Sequence, residues 1–361
     1  MKKSNQILKV LFVFCLVLPI TSVFATEEDS WTTMEPMPTS RSSLGVAVVN
    51  DKIYAIGGVQ SDANEEYDIA KNMWTTKMPM PTARGDFAIA VFQDKIYAIG
   101  GLTRSGQWTT ELTDVNEVYD PETDTWTIKT SMPIPKAGLS ASVVDDKIYL
   151  IGGFAQAANT THHPASRETL IYDPIADAWT TKTPIPIATL DYATAVVNDK
   201  IYVISGVSSA YSDNLINPTQ IYDTETDTWS QGAPIPYPIQ QAAAGATTGL
   251  LAPKAIYVIG GFTGFYWPTN KNQVYNPEKD TWSSGADMPT PLFDLSATVV
   301  NDQLYAIGGC PGYLQGSTTA VEKYTPVDYI PEFSSWTILP LFLVLAPIVV
   351  LIRNKTTKNE A

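Results

Sequence analysis

"IYAIGG" stands at residues 53–58 and again at 96–101; IYLIGG follows at 148–153, IYVISG at 201–206, IYVIGG at 256–261 and LYAIGG at 304–309. Successive starts differ by 43, 52, 53, 55 and 48 residues. Self-similarity at a period of roughly 50 residues marks a repeat architecture, in which each unit buries its apolar faces against its neighbours. The residues between the chain's two ends would otherwise suffice for two ordinary domains. Six recurrences make them one all-β body instead.

A second marker recurs in phase with the first. Tyr67 and Trp74, Tyr119 and Trp126, Tyr172 and Trp179, Tyr222 and Trp229, and Tyr275 and Trp282 are each seven residues apart. Every part of the unit has a physical reading. A run of small and apolar residues comes first, such as 44–49, 87–91 or 296–300, suited to a strand crowded near an axis. A polar pair follows, Asn50-Asp51, Gln93-Asp94, Asp145-Asp146, Asn198-Asp199 or Asn301-Asp302, of the kind that turns a tight hairpin. The Ile-Tyr-x-Ile strand is apolar on both faces, and its Gly pair permits positive φ where the strand ends. Two units depart from the pattern: Ser205 replaces a Gly in the fourth, and 247–254 replaces the polar pair in the fifth.

Gly-Gly after an apolar strand, then Tyr and Trp at fixed spacing, resembles the kelch repeat over about Ser30 to Thr325. The resemblance implies a six-bladed β-propeller with one four-stranded blade per repeat. It also explains an oddity at the start. WTTMEPMPTSR at 31–41 copies the tail of a unit, WTTKMPMPTAR at 74–84, but has no unit before it; the sixth unit reaches Tyr324 and has no Trp strand after it. The Trp31 strand is therefore expected to complete the sixth blade and remove the open edges of the array.

The chain's ends point outside the cell. Lys2, Lys3 and Lys9, the apolar run 10–20 and the small residues near Ala25 read as an export signal over 1–25, an uncut anchor being the alternative. The propeller is expected over 26–329 and a linker with Pro331-Glu332-Phe333 over 330–335. An uncharged 17-residue stretch, 336–352, is expected to form a transmembrane helix, with a basic cytoplasmic tail over 353–361. Pro-Glu-Phe, an apolar helix and basic residues in that order resemble archaeal C-terminal sorting signals; a plain membrane anchor is the alternative. Residues 26–331 hold 17 Lys and Arg against 35 Asp and Glu, a net charge of −18, which argues against nucleic acid as a partner. Cys310 is the single cysteine there, so no internal disulfide is expected.

Strands alternate in direction within a blade, so loops from second to third strand share a face with connections from fourth strand to the next blade's first. Those loops are long: 102–114, 154–167, 207–218, 262–271 and 310–319. Long loops on a rigid scaffold are where binding usually resides. They carry Trp108, Phe154, Tyr211, Phe265, Tyr266, Trp267 and Tyr313, either a platform for a sugar or peptide or a cover for the blade ends. All four arginines of the predicted domain, Arg41, Arg84, Arg104 and Arg167, fall on this face with Lys136. The cluster is read as a site for an anionic group, the alternative being internal pairing with Asp86 or Asp191. The leading expectation is thus a surface-tethered module that binds an acidic glycan or peptide, with an extracellular glycan or protein as partner. A sialate epimerase-like or sialidase-like glycan-modifying enzyme is the second, drawing an acid or base from Asp86, Asp191 or Asp294. An architectural envelope protein is the third.

No metal or other cofactor is expected. His162 and His163 are adjacent and diverge in an extended segment, which also disfavours galactose oxidase-like copper chemistry. Arg84-Gly85-Asp86 spells an adhesion tripeptide but sits at the entry to a strand, and Asn159-Thr160-Thr161 is a glycosylation sequon.

Overall fold

The computed structural model describes residues 29–104, 110–155, 164–209, 214–264, 267–312 and 314–330. The leader expected over 1–25, residues 331–335 of the linker, the expected membrane segment and the tail lie outside the described residues. Among the described residues no helix is long and apolar enough to cross a membrane.

The compact unit Glu27–Val327 is built from six four-stranded antiparallel sheets. Blade I contains β2 (Gly45–Val49), β3 (Lys52–Ile56), β4 (Asn64–Asp68) and β5 (Met73–Thr76). Blade II contains β6 (Ala88–Phe92), β7 (Lys95–Ile99), β10 (Asn116–Asp120) and β11 (Thr125–Lys129), with the small hairpin of β8 (Leu102–Arg104) and β9 (Thr110–Leu112) in its long loop. Blade III contains β12 (Ser140–Val144), β13 (Lys147–Ile151), β14 (Thr169–Asp173) and β15 (Ala178–Lys182). Blade IV contains β16 (Ala193–Val197), β17 (Lys200–Ile204), β18 (Thr219–Asp223) and β19 (Thr228–Gly232). Blade V contains β20 (Ala243–Ala246), β21 (Ile256–Ile259), β22 (Asn272–Asn276) and β23 (Thr281–Ser284). Blade VI contains β24 (Ser296–Val300), β25 (Gln303–Ile307), β26 (Val321–Thr325) and, from the other end of the sequence, β1 (Ser30–Thr33).

The first strands of the blades adjoin in a closed cycle, β2 to β6, β12, β16, β20, β24 and back to β2. Closure rests on β1, which pairs antiparallel with β26 in the register Trp31 to Tyr324. This is the register of Trp74 on Tyr67 in blade I and of Trp126 on Tyr119 in blade II. The first described strand is therefore the outer strand of the last blade.

One staple repeats around the ring and shows why Tyr and Trp keep their spacing. Each Tyr hydroxyl donates to a side chain just ahead of the fourth strand: Tyr119 to Asp124, Tyr172 to Asp177, Tyr222 to Asp227 and Tyr275 to Asp280. The same carboxylate accepts a main-chain N–H from the preceding blade, as Asp124 does from Met78 at 2.8 Å. The Trp indole donates to a carbonyl on that same segment, Trp126 to Met78 at 3.0 Å. Tyr and Trp rings lie 4.8–5.1 Å apart in every blade, a tilted packing that contributes about 0.5–1.5 kcal/mol beyond burial. In blade VI the parts come from both ends of the chain. Asp29 accepts from Tyr324 and from Ala286 N–H, and Trp31 donates to the Ala286 carbonyl at 2.8 Å.

The two irregular units have compensations. Ser205 holds φ 62°, and its hydroxyl donates to the Ile216 carbonyl at 2.7 Å and accepts from Ile239 N–H at 2.8 Å. The extended loop of blade V wraps Asp302 of blade VI, whose carboxylate accepts the N–H groups of Thr248, Leu250, Leu251 and Ala252. Those bonds hold its pKa below the usual carboxylate range although burial opposes them.

Candidate binding face and axial cavity

The long loops and the blade-to-blade connections share one face, as hydrogen bonds between them show: Val59 N–H donates to the Ser42 carbonyl and Gly58 N–H to that of Arg84. At the centre of this face each blade contributes one residue where a connection enters its first strand: Ser43, Asp86, Gly138, Asp191, Gln241 and Asp294. All six hold φ between 52° and 61°, within the left-handed region. Asn, Asp and Gly tolerate that region best, which suits four of the six. Their main chains are linked in a cycle. Asp86 N–H donates to Ser43, Gly138 to Asp86, Asp191 to Gly138, Gln241 to Asp191, Asp294 to Gln241 and Ser43 to Asp294, at 2.8–3.2 Å.

This cycle rims a cavity of about 310 Å³ on the propeller axis, lined below by small residues such as Gly45, Ala141, Ala193, Ala244 and Ala297. Asp86, Asp191 and Asp294, from alternate blades, are the carboxylates of its lining. Burial raises all three above the ordinary value. Asp191 is pushed up to about 8 by burial and then by Asp86, and Asp294 is raised by burial and then by Asp86 and Asp191. Ser43 hydrogen-bonds Asp86 and Asp294 and opposes the shift. Among the described residues no group of three His, Cys, Asp or Glu is arranged to hold a metal ion.

The cations assigned to an anion site are divided by the structure. Arg41 and Arg84 are buried, with the guanidinium of each 2.5 Å from Glu65 and Glu117 respectively. Their terminal nitrogens also serve carbonyls, Ala55, Gly57 and Ala63 for Arg41, and Thr82 and Ala98 for Arg84, while the Nε of each makes no hydrogen bond. Lys136 is also buried and bonds Glu168, Ser166 and the Gly152 carbonyl. Burial lowers the pKa of all three cations while the paired carboxylate opposes it. These three hold third strands to connections and present no charge to a ligand. The pairing expected with Asp86 or Asp191 is made instead with Glu65, Glu117 and Glu168. The adhesion tripeptide is closed for the same reason, since Arg84 lies inside.

Arg104 and Arg167 are exposed on the loops of blades II and III, Arg167 with its Nε donating to the Ile185 carbonyl at 2.7 Å. Trp267 is 76% exposed on the loop of blade V. Phe154 is buried with Ala137, Leu190 and Val207 in a cluster beneath the loops of blades II to IV, so it covers the blades. Trp108, Tyr211, Phe265, Tyr266 and Tyr313 lie outside the described residues, as do His162, His163 and Asn159. Sequence reasoning missed the role of Glu65 and Glu117. Their signal was present: an acid or amide stands two residues before the third-strand Tyr in five of six units.

The comparisons with known proteins agree with this geometry. A model described as the KLHDC2/KLHL20/DRC7 Kelch-repeats domain matches residues 17–203, and one described as the Attractin/LZTR1 beta-propeller matches 118–327. The chain belongs to the kelch-repeat β-propeller family. Similar curated kelch proteins include the Kelch-like protein terF of Aspergillus terreus, 28% identical over 89% of this chain and 60% of that protein. Alpha-scruin of Limulus polyphemus is 28% identical over 78% of this chain and 25% of its own length. This kelch chain thus spans less than two thirds of either relative. Among solved structures, one titled "Structure of YjhT" aligns with a TM-score of 0.69 at 18% identity, covering 80% of this chain and 95% of that one, a likeness of fold.

Proposed function

We propose that this kelch propeller is an exported, surface-tethered binding module that engages an extracellular protein or glycan on its long-loop face. The observation that carries the reading is the recessed axial cavity, rimmed by one residue from each blade and overlooked by the long loops. At about 310 Å³ it lies at the small end of ligand pockets, and concave sites framed by loops on a rigid scaffold are the usual places for binding. Three carboxyl groups there suit a ligand rich in hydroxyl or amino donors. An acidic group on the same ligand would meet Arg104 and Arg167 at the rim, and Trp267 offers a ring face for stacking. The basic start, the apolar run and the C-terminal apolar stretch support the outside address.

The test is a glycan and peptide array probed with the full chain at two salt concentrations, repeated with Trp267→Ala and with Arg104→Ala/Arg167→Ala. Weaker binding by both variants with unchanged melting supports the reading. Binding indifferent to both refutes this placement of the ligand, and protease resistance of the domain on intact cells refutes the outside address.

A glycan-modifying enzyme on the same face is favoured by one observation, the raised pKa of Asp191 inside a cavity, since a carboxylic acid that keeps its proton near neutrality can act as a general acid. Product formed from an array ligand, and lost in Asp191→Asn, would establish it.

A further inference from the structure

Five blades place an acid or amide two residues before the third-strand Tyr: Glu65, Glu117, Gln220, Gln273 and Glu322, all buried. Their surroundings fall into two kinds. Glu65 and Glu117 each accept a threonine hydroxyl on Oε1, from Thr39 and Thr82 at 2.7 Å, and an arginine on Oε2. Gln220 and Gln273 have no such arginine, because Thr189 and Ile239 occupy its position. Each amide instead clamps one main-chain unit. Oε1 accepts the N–H of Ile187 or Tyr237, and Nε2 donates to the carbonyl of the same residue at 3.0 Å.

Glu322 in blade VI has the acid and the threonine of the first kind, since Thr290 stands where Thr39 and Thr82 do, but lacks the arginine, as the second kind does. Leu292 stands where the arginines do, and Thr290 stands where Ile187 and Tyr237 do. The hydroxyl and N–H of Thr290 both bond the Glu322 carboxyl, while Oε2 has no partner. Glu322 faces Thr33 of β1 on one side and Ala306 of β25 on the other, neither of which titrates. Lys323 follows it in β26 and points to the opposite face of the strand. Arg41, on the neighbouring connection, is committed to Glu65. An ionised carboxylate with one bare oxygen is strongly disfavoured in such a place, and burial raises the Glu322 pKa.

We propose that Glu322 is carried in the folded propeller as a neutral carboxylic acid, a glutamine equivalent whose Oε2 proton is donated to the Thr290 carbonyl, making closure of blade VI proton-linked. Its position gives this consequence, since Thr33 opposite it belongs to the latch strand. A carboxyl whose folded pKa is raised binds its proton more tightly in the native state. Its contribution is therefore fully present below the unfolded value and is lost as pH rises through the folded one. The closing blade loosens on the alkaline side.

The experiment compares the full chain with Glu322→Gln from about pH 4 to about pH 9, the span that brackets an ordinary and a raised glutamic acid. Folding constants and hydrogen exchange of the Ser30–Thr33 amides are read at each pH. The ratio of folding constants, variant over wild type, is expected to be level at the acid end, to climb about tenfold per pH unit above the ordinary glutamate pKa, and then to level off. Exchange in the latch strand should slow in the variant over the same range. A protonated carboxylic acid band should appear at neutral pH in the wild-type minus Glu322→Gln infrared difference spectrum. A ratio independent of pH, or no such band at neutral pH, overturns the proposal. A Glu322→Gln chain that fails to fold overturns it too, because blades IV and V carry glutamine at the same place.

Discussion

Arg84 is the residue for which the demands of fold and ligand can be separated most cleanly. Its side chain is fully buried against Glu117, itself 2% exposed, with further donors on the carbonyls of Thr82 and Ala98. Blade V performs the same task with Ile239 and Gln273. Arg84→Ile alone leaves the Glu117 carboxyl buried without its cationic partner, a loss of about 3–5 kcal/mol. At about 2 °C per kcal/mol, roughly the value for a large domain, melting should fall by about 6–10 °C. Adding Glu117→Gln rebuilds the blade V arrangement, with the new amide donating to the Thr82 carbonyl. One carbonyl, that of Ala98, stays without its donor, and the residual deficit should be about 1–2 kcal/mol. Thermal melts of the full chain followed by tryptophan fluorescence, with single and double variants side by side, measure both numbers. A single variant that melts within a degree of wild type would refute the reasoning. So would a double variant no better than the single.

Three further outcomes follow from the ring. Trp31→Ala removes an indole packed on Tyr324 and its bond to Ala286, costing about 2–4 kcal/mol; removing residues 26–37 should abolish the single cooperative transition, and a truncated chain that melts like the full one excludes the latch. Asp191→Asn should stabilise the domain at alkaline pH and leave it nearly unchanged at pH 4, because a carboxyl raised to about 8 contributes stability at acid pH that is lost as pH climbs through that value; urea midpoints at the two pH values check it, and an equal midpoint shift at both refutes the assignment.

The sequence made the propeller legible because its signals are short-range. The hairpin pairs Asn50-Asp51, Asp145-Asp146 and Asn301-Asp302 all hold positive φ, as their composition suggested. Trp31 could be assigned to blade VI because its spacing copied that of Trp74. The site was less legible because its partners are distant along the chain. Arg41 and Glu65 are 24 residues apart and Arg84 and Glu117 are 33 apart, across loops of unequal length. Arginines on one face look alike in a sequence whether they turn outward or inward. Only the matching acid two residues before each Tyr distinguishes them, and blade III lacks it, since Leu170 takes that place and Lys136 reaches Glu168 instead.

The axial cycle of six main-chain hydrogen bonds also bears on heredity. An open stack of repeats can gain or lose a unit at either end with its other interfaces intact. Here a duplicated repeat would have no vacant place, because every link already joins two blades and the last returns to the first. The count can change only if all the links re-form at a new angle together.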